Sequence, residues 1–284
     1  MKLTRLLTTA AALLLAANSF AQNDSLAFVS GAWKTTQVSD GIVLKECAFT
    51  GDLFNSNQYV CVLEVAPDRH IDIVASDEAT LAGTTVLAEK YGAVAAVNGG
   101  FFNMRAPYGS ISYIRVDNEE ISPNKFGNPA NGNVGRDSRL KGSVVCFKGQ
   151  LYVVKADDIK AWEKYIEAED VLTTGPMLLI GGEDEFVADN SFNKTRHPRT
   201  AAGRRPDGTA VLVTVDGRHA EAAGVSMWEL QSMMRWLGCC DAINLDGGGS
   251  TAMVVSGNIV NHPCDNKKFD PEGERRVANA ILVK

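Results

Sequence analysis

The chain has 284 residues, 45% of them apolar, and carries 28 Lys and Arg against 34 Asp and Glu for a net charge of −6. This acidic balance gives no general attraction to nucleic acid or to an anionic lipid surface, and past the N-terminus no apolar run approaches the ~18 residues of a membrane span. The six cysteines follow neither a small disulfide framework nor a zinc spacing, so their pairing stays open, with Cys239 and Cys240 read as buried thiols.

Met1 to Ala21 places Lys2 and Arg5 ahead of an apolar run, with Ser19 and Ala21 at cleavage offsets and no cysteine at the cut. It predicts a secretory signal peptide and hence a periplasmic or extracellular protein. The expected mature part is one domain, 22–284, whose net charge falls to −8 once Lys2 and Arg5 leave. Strands are predicted at "QYVCVLEVA", "HIDIVAS", "SISYIRV", "GSVVCFKGQLYVVKA" and "TAVLVTVDG", with hairpin turns at Lys148-Gly149 and Pro206-Asp207-Gly208. Helical periodicity covers Thr84 to Tyr91, Ile159 to Ala168 and Val225 to Leu237. The fold class is α/β of the α+β kind: a mixed, largely antiparallel sheet with a few packed helices in a single compact domain. Polar stretches from Asp117 to Gly142, Gly181 to Pro198 and Asn261 to Arg275 are too varied for linkers and have the length of binding loops.

Two segments share a plan. "LAEKYGAVAAVNGGFF" and "MMRWLGCCDAINLDGGGS" each run from a helix end through a glycine and a short apolar strand to a polar tip followed by glycines. The tips are Asn98 and Asp246, and if the strands are neighbours both face one crevice at a sheet edge. At such a tip Asp246 suits a nucleophile, a general base or a hydroxyl-binding group, while the plain alternative is an Asp that caps its own turn. The glycines do not make a nucleotide loop, because neither a Lys-Ser/Thr nor a G-x-G-x-x-G accompanies them. Ser250 lacks the second glycine of a hydrolase nucleophile elbow.

In "RHPRTAAGRR", Arg199 and Arg204 flank an apolar strand start and are candidates for a bidentate phosphate clamp. Asp216 in "VDGRH" is a turn residue or a second carboxylate for Asp246, since glycoside hydrolysis normally uses a pair. With no H-E-x-x-H and no EF-hand spacing, no metal site is predicted, and the acidic run Glu183, Asp184 and Glu185 reads as a solvated turn rather than a Ca²⁺ loop.

The blocks "AAVNGGFF", "RTAAG", "VDGR", "GVSMWEL" and "AINLDGGGSTAMV", in this order and with "TTGPMLLIGG" around Gly175 and Pro176, resemble the phosphodiester glycosidase family from about Tyr59 to Lys284. The resemblance implies hydrolysis of a sugar-1-phosphodiester at its glycosidic C–O bond, releasing free sugar and a phosphomonoester without a cofactor. Carried over by motif, Asn98, Gly99, Gly100 and Phe102 line the crevice, Arg199 and Thr200 come from "RTAAG", and Gly247, Gly248, Gly249 and Ser250 follow Asp246. Asp246, Asp216 and Glu229 are then the expected catalytic carboxylates, with Arg199 and Arg204 on the phosphate, Asn98 on the sugar hydroxyls or the phosphate, and glycine N–H groups completing an oxyanion cradle. The partner is a phosphorylated sugar or glycan. The rival readings are an exported glycan-binding protein without turnover and a phosphodiesterase that cleaves the P–O bond.

Overall fold

The computed structural model describes residues 23–123, 140–156, 159 and 161–284; the expected signal peptide and the middle of the Asp117 to Gly142 stretch lie outside them. An eight-stranded sheet follows Lys34–Ser39, Ile42–Leu53 and Ser56–Val65 with Ala210–Val215, Arg199–Arg204, Asp241–Asn244, Met177–Ile180 and Glu183–Asp184. A five-stranded sheet places Ala95–Asn98 between Met253–Val255 and Asn279–Val283, and a second one is centred on Asp170–Thr174. The strand pairs among the described residues are antiparallel, joined by tight hairpins such as Gly142–Phe147 with Gln150–Lys155, whose turn residues Lys148 and Gly149 have φ of 52° and 74°. Positive φ at both central positions is what the right-handed twist of the flanking strands demands.

Period-2 alternation sorts the strands between cores. Leu212 faces a cluster shared by all three larger sheets, with Leu63, Ile73, Val97, Val144 and Leu245. Val211, Val213 and Val215 face the opposite way, onto the helix Met227–Trp236. That helix turns Met227, Leu230, Met233 and Met234 inward, as its 3.6-residue period predicts. The helix Thr84–Lys90 covers the outer face of the Ala95–Asn98 sheet through Leu87 and Ala88. Ile159 to Ala168 differs from expectation, forming only a 3₁₀ turn at Trp162–Tyr165. "SISYIRV" is likewise broken into Gly109–Ser110 and Ile114–Val116. All six cysteines are free thiols, Cys239 buried and Cys240 half-buried. No helix among the described residues is long and apolar enough to cross a membrane.

The twin helix-Gly-strand-tip units are both present, but their strands are not hydrogen-bonded neighbours. Asp241–Asn244 lies in the eight-stranded sheet and Ala95–Asn98 in a five-stranded one. Gly247–Ser250 is the crossover by which the chain leaves the first sheet and enters the second at Met253–Val255. The polar tips therefore meet where two sheets abut rather than along one sheet.

Candidate active site

The two tips are stitched together by backbone and amide groups. Asp246 N–H donates to Gly99 C=O at 2.9 Å, and Asn98 Nδ2 donates to Asp246 C=O at 2.7 Å. Asn98 Oδ1 accepts from Thr200 Oγ1 at 2.7 Å and from Ala252 N–H at 3.1 Å. Asn98 and Thr200 are fully buried, so both act as a clip that fixes Asp246, and the direct substrate contacts expected of them are replaced by this positioning task. Gly99 and Gly100 are equally enclosed: Gly100 N–H donates to Asn279 Oδ1 at 2.6 Å, and a methyl group on Gly99 would collide with that same side chain. Phe102 is also displaced from the expected crevice lining, because it packs in the core beneath Thr84–Lys90. Phe101 instead faces Phe192, centroid to centroid 6.3 Å.

The three glycines after Asp246 each admit a different neighbour. A methyl group on Gly247 would sit 2.6 Å from Pro198 O, one on Gly248 2.9 Å from Arg218 Nη2, and one on Gly249 would meet Asp265 Oδ1 first and then Arg275 Cζ at 2.7 Å. Such separations are closer than a Cβ contact tolerates, and Gly248 also has φ +63°. Three of the loop N–H groups expected in an oxyanion cradle are taken by protein oxygens instead. Gly248 N–H donates to Pro198 O at 2.8 Å, Ser250 N–H to Gly247 O at 3.2 Å, and Gly247 N–H to Asp246 Oδ1 at 3.0 Å. Buried backbone groups must pair, and here protein oxygens satisfy these donors. Ser250 is buried with no hydrogen-bond partner for Oγ.

Guanidinium groups supply the positive charge instead. Arg199 is 2% exposed and donates to Val225 O at 3.2 Å, Phe192 O at 2.7 Å and Thr195 O at 3.0 Å, with its Cζ 4.9 Å above the Phe192 ring. Burial, with Arg218 nearby, lowers its pKa to about 10, and the Asp246 carboxylate opposes that fall. Arg199 thus serves as a fixed buried countercharge behind Asp246, not as an open clamp. Arg275 closes on Asp265 with Nε 2.7 Å from Oδ2. Arg218 is exposed, holds φ +63° and has Nε 3.3 Å from His197 Nδ1. Among the described residues it has no carboxylate partner. Burial and the adjacent Arg218 and Arg199 charges lower the His197 pKa, which keeps the imidazole neutral as an acceptor. A non-glycine residue at positive φ costs of order 1–3 kcal/mol and marks a position held by its surroundings.

Three expected residues stand apart. Arg204 ends its strand five residues, roughly 17 Å, beyond Arg199, with its Cζ 3.9 Å above Tyr152, so it cannot share an anion with the Asp246 loop. Glu229 belongs to the helix Met227–Trp236, where it closes a capping box with Ser226 and binds Arg196 Nε at 3.0 and 3.1 Å. Replacing Glu229 by Ala is therefore expected to lower stability by ~1–3 kcal/mol, read as a melting temperature several degrees lower, while kcat stays within threefold of wild type. Asp216 does end a strand at the same sheet edge, yet it is 1% exposed and two strands from the Asp246 strand, roughly 10 Å, so it meets no substrate directly. Its Oδ2 accepts from His262 Nδ1 at 2.8 Å.

Arg218, Arg275 and His262 are the groups that sequence reasoning passed over. Arg218 stands inside "VDGR", and the other two lie in the polar stretch Asn261 to Arg275, whose length was their only local signal.

A profile of the family described as Phosphodiester glycosidase matches residues 91–284. N-acetylglucosamine-1-phosphodiester alpha-N-acetylglucosaminidase of Bos taurus is 27% identical over 211 residues, which cover 69% of this chain and 38% of that protein. The SPbeta prophage-derived uncharacterized protein YomE of Bacillus subtilis (strain 168) is 43% identical over 88 residues, 31% of this chain and 13% of that one. The chain thus spans well under half the length of these relatives. The catalytic domain of the zebrafish N-acetylglucosamine-1-phosphodiester alpha-N-acetylglucosaminidase, auto-inhibited by its pro-peptide, shares the fold with a TM-score of 0.66 at 18% identity, over 89% of this chain and 84% of that one.

Proposed function

The chain belongs to the phosphodiester glycosidase family, and we propose that it is an exported hydrolase that cleaves the glycosidic bond of a sugar-1-phosphodiester, with N-acetylglucosamine-1-phosphodiesters the first substrates to try. The observation that carries this reading is the Asp246 tip: a half-buried carboxylate on a rigid clip, with the Arg218 and Arg275 guanidiniums against Gly248 and Gly249. A phosphodiester brings one negative charge, and the exposed fork of Arg218 matches its oxygens in bidentate fashion. Cleavage of the sugar C1–O bond sends the electron pair to the phosphate, where fixed guanidinium charge stabilises it without reorganisation. Asp246 lies one step away as general base for the incoming water or as nucleophile at C1.

Hydrolysis of a panel of sugar-1-phosphodiesters in ¹⁸O-water tests the reading. Label in the released sugar is expected. Label in the phosphate would make the protein a phosphodiesterase acting at P–O, and affinity without turnover would make it a binding protein.

A further inference from the structure

The pair formed by Asp216 and His262 has no part in that account, although it has the construction of a proton-transfer dyad. Asp216 is enclosed at the end of Ala210–Val215, and three donors converge on its carboxylate: Asn261 Nδ2 on Oδ1 at 2.8 Å, and His262 N–H and Nδ1 on Oδ2 at 2.9 and 2.8 Å. Burial pushes the Asp216 pKa up, and the hydrogen bonds from His262 and Asn261 pull it back. The imidazole is pinned by Phe269, stacked at 3.8 Å and 12°, and by the edge of Tyr59 at 4.6 Å. With Nδ1 turned to a buried carboxylate, Nε2 is the end left on the outward side of a ring that is 23% exposed. Orientation of one ring nitrogen by a buried carboxylate sets the tautomer and fixes the direction of the other nitrogen.

The dyad adjoins the phosphate arm. Asp216 meets His262, and two residues on along both chains Arg218 Nη1 meets Cys264 Sγ at 3.8 Å. Through this contact Arg218 joins the loop that carries His262 to the Asp246 loop, with its Nη2 against Gly248.

We propose that His262, oriented by Asp216, is the proton donor to the departing phosphate in this crevice, an assignment that rests on the glycosidase reading above. As water adds to C1 and gives its proton to Asp246, the C1–O bond breaks, its electron pair passes to the phosphate oxygen, and the Nε2 proton of the imidazolium moves to that phosphate. Solvent then restores both groups. The charged and titratable groups around the ring are Asp216 against Nδ1, Tyr59 with Glu46 behind its hydroxyl, Asp270 on its own loop, and His219 with Glu221 across Phe269, with Arg218 reaching the same loop at Cys264.

The test is the pH profile of kcat/KM on two probes: the methyl and the p-nitrophenyl phosphodiesters of N-acetylglucosamine 1-phosphate, the second of which releases the more acidic phosphomonoester. His262→Gln is expected to lose about 100-fold on the methyl diester together with the alkaline limb of the profile, and much less on the p-nitrophenyl diester. Asp216→Asn is expected to keep that limb but move it to lower pH, since the imidazolium loses its countercharge; titration of the His262 Cε1 proton by NMR reads the same shift independently of turnover. Wild-type rate and an unaltered alkaline limb in a folded His262→Gln protein would overturn the inference alone. A wild-type protein that cleaves neither probe would overturn the activity and this role with it.

Discussion

Asp246→Asn is expected to lower kcat on a sugar-1-phosphodiester by about 10³-fold or more while leaving substrate affinity within a few-fold of wild type. General-base and nucleophilic roles are each worth about 10²–10⁴ in rate, and at Asp246 little else changes with the substitution. The backbone of the tip is held from outside the side chain, through Gly99 C=O and Asn98 Nδ2. The Gly247 N–H that donates to the carboxylate at 3.0 Å reaches an oxygen that asparagine retains. The substitution removes the charge while the backbone of the tip and the neighbouring guanidiniums stay in place. Arg199 loses the countercharge that opposes its desolvation, an effect that strengthens rather than weakens attraction for an anion. Calorimetric titration of the variant with the intact diester, beside single-turnover rates, separates the two quantities. A rate within threefold of wild type would remove Asp246 from the chemistry and leave the protein a binder.

Much of this arrangement was legible in local sequence because its determinants are local. The alternation in "TAVLVTVDG", the Lys148-Gly149 turn and the helix-Gly-strand plan of each tip depend on neighbours within a few residues, and each is present, while the meeting of the two tips spans 148 residues and different sheets. The errors arise where one local pattern serves two ends. "SMWEL" carries a glutamate that motif transfer makes catalytic, yet Ser-x-x-Glu is also the sequence of a capping box, and the helix uses it as one. Arg199 and Arg204 look like one clamp in a string of letters, but a strand carries them to opposite ends. The glycines after Asp246 suggest donors open to a ligand, but Gly247 and Gly248 give their N–H groups to protein oxygens, and the three together admit Pro198, Arg218 and the Arg275–Asp265 pair from distant parts of the chain. No spacing rule announces Arg275 at Gly249, because only the path of the loop after Asn261 brings it there. The strand Lys34–Ser39 gives little signal because it is the exposed edge of its sheet, and Ile42–Leu53 beside it is only partly buried along its length.

Arg218 is the second residue whose loss should be severe, and its backbone allows function and stability to be separated. It holds φ +63° without being glycine, so Arg218→Gly relieves strain at that position while deleting the guanidinium. The expected outcome is an unchanged or raised melting temperature together with a kcat/KM about 10²–10³-fold lower, the range found when one donor to a developing oxyanion is removed. Arg218→Lys should fall between wild type and the glycine variant, because an ammonium keeps the charge but not the planar fork. Inhibition by inorganic phosphate offers a readout free of turnover, and its inhibition constant should rise in the same order from wild type through Lys to Gly. If phosphate inhibits all three equally, the anion is not held at Gly248. The remaining candidate on this loop is then Arg275, whose pairing with Asp265 would have to open to admit it.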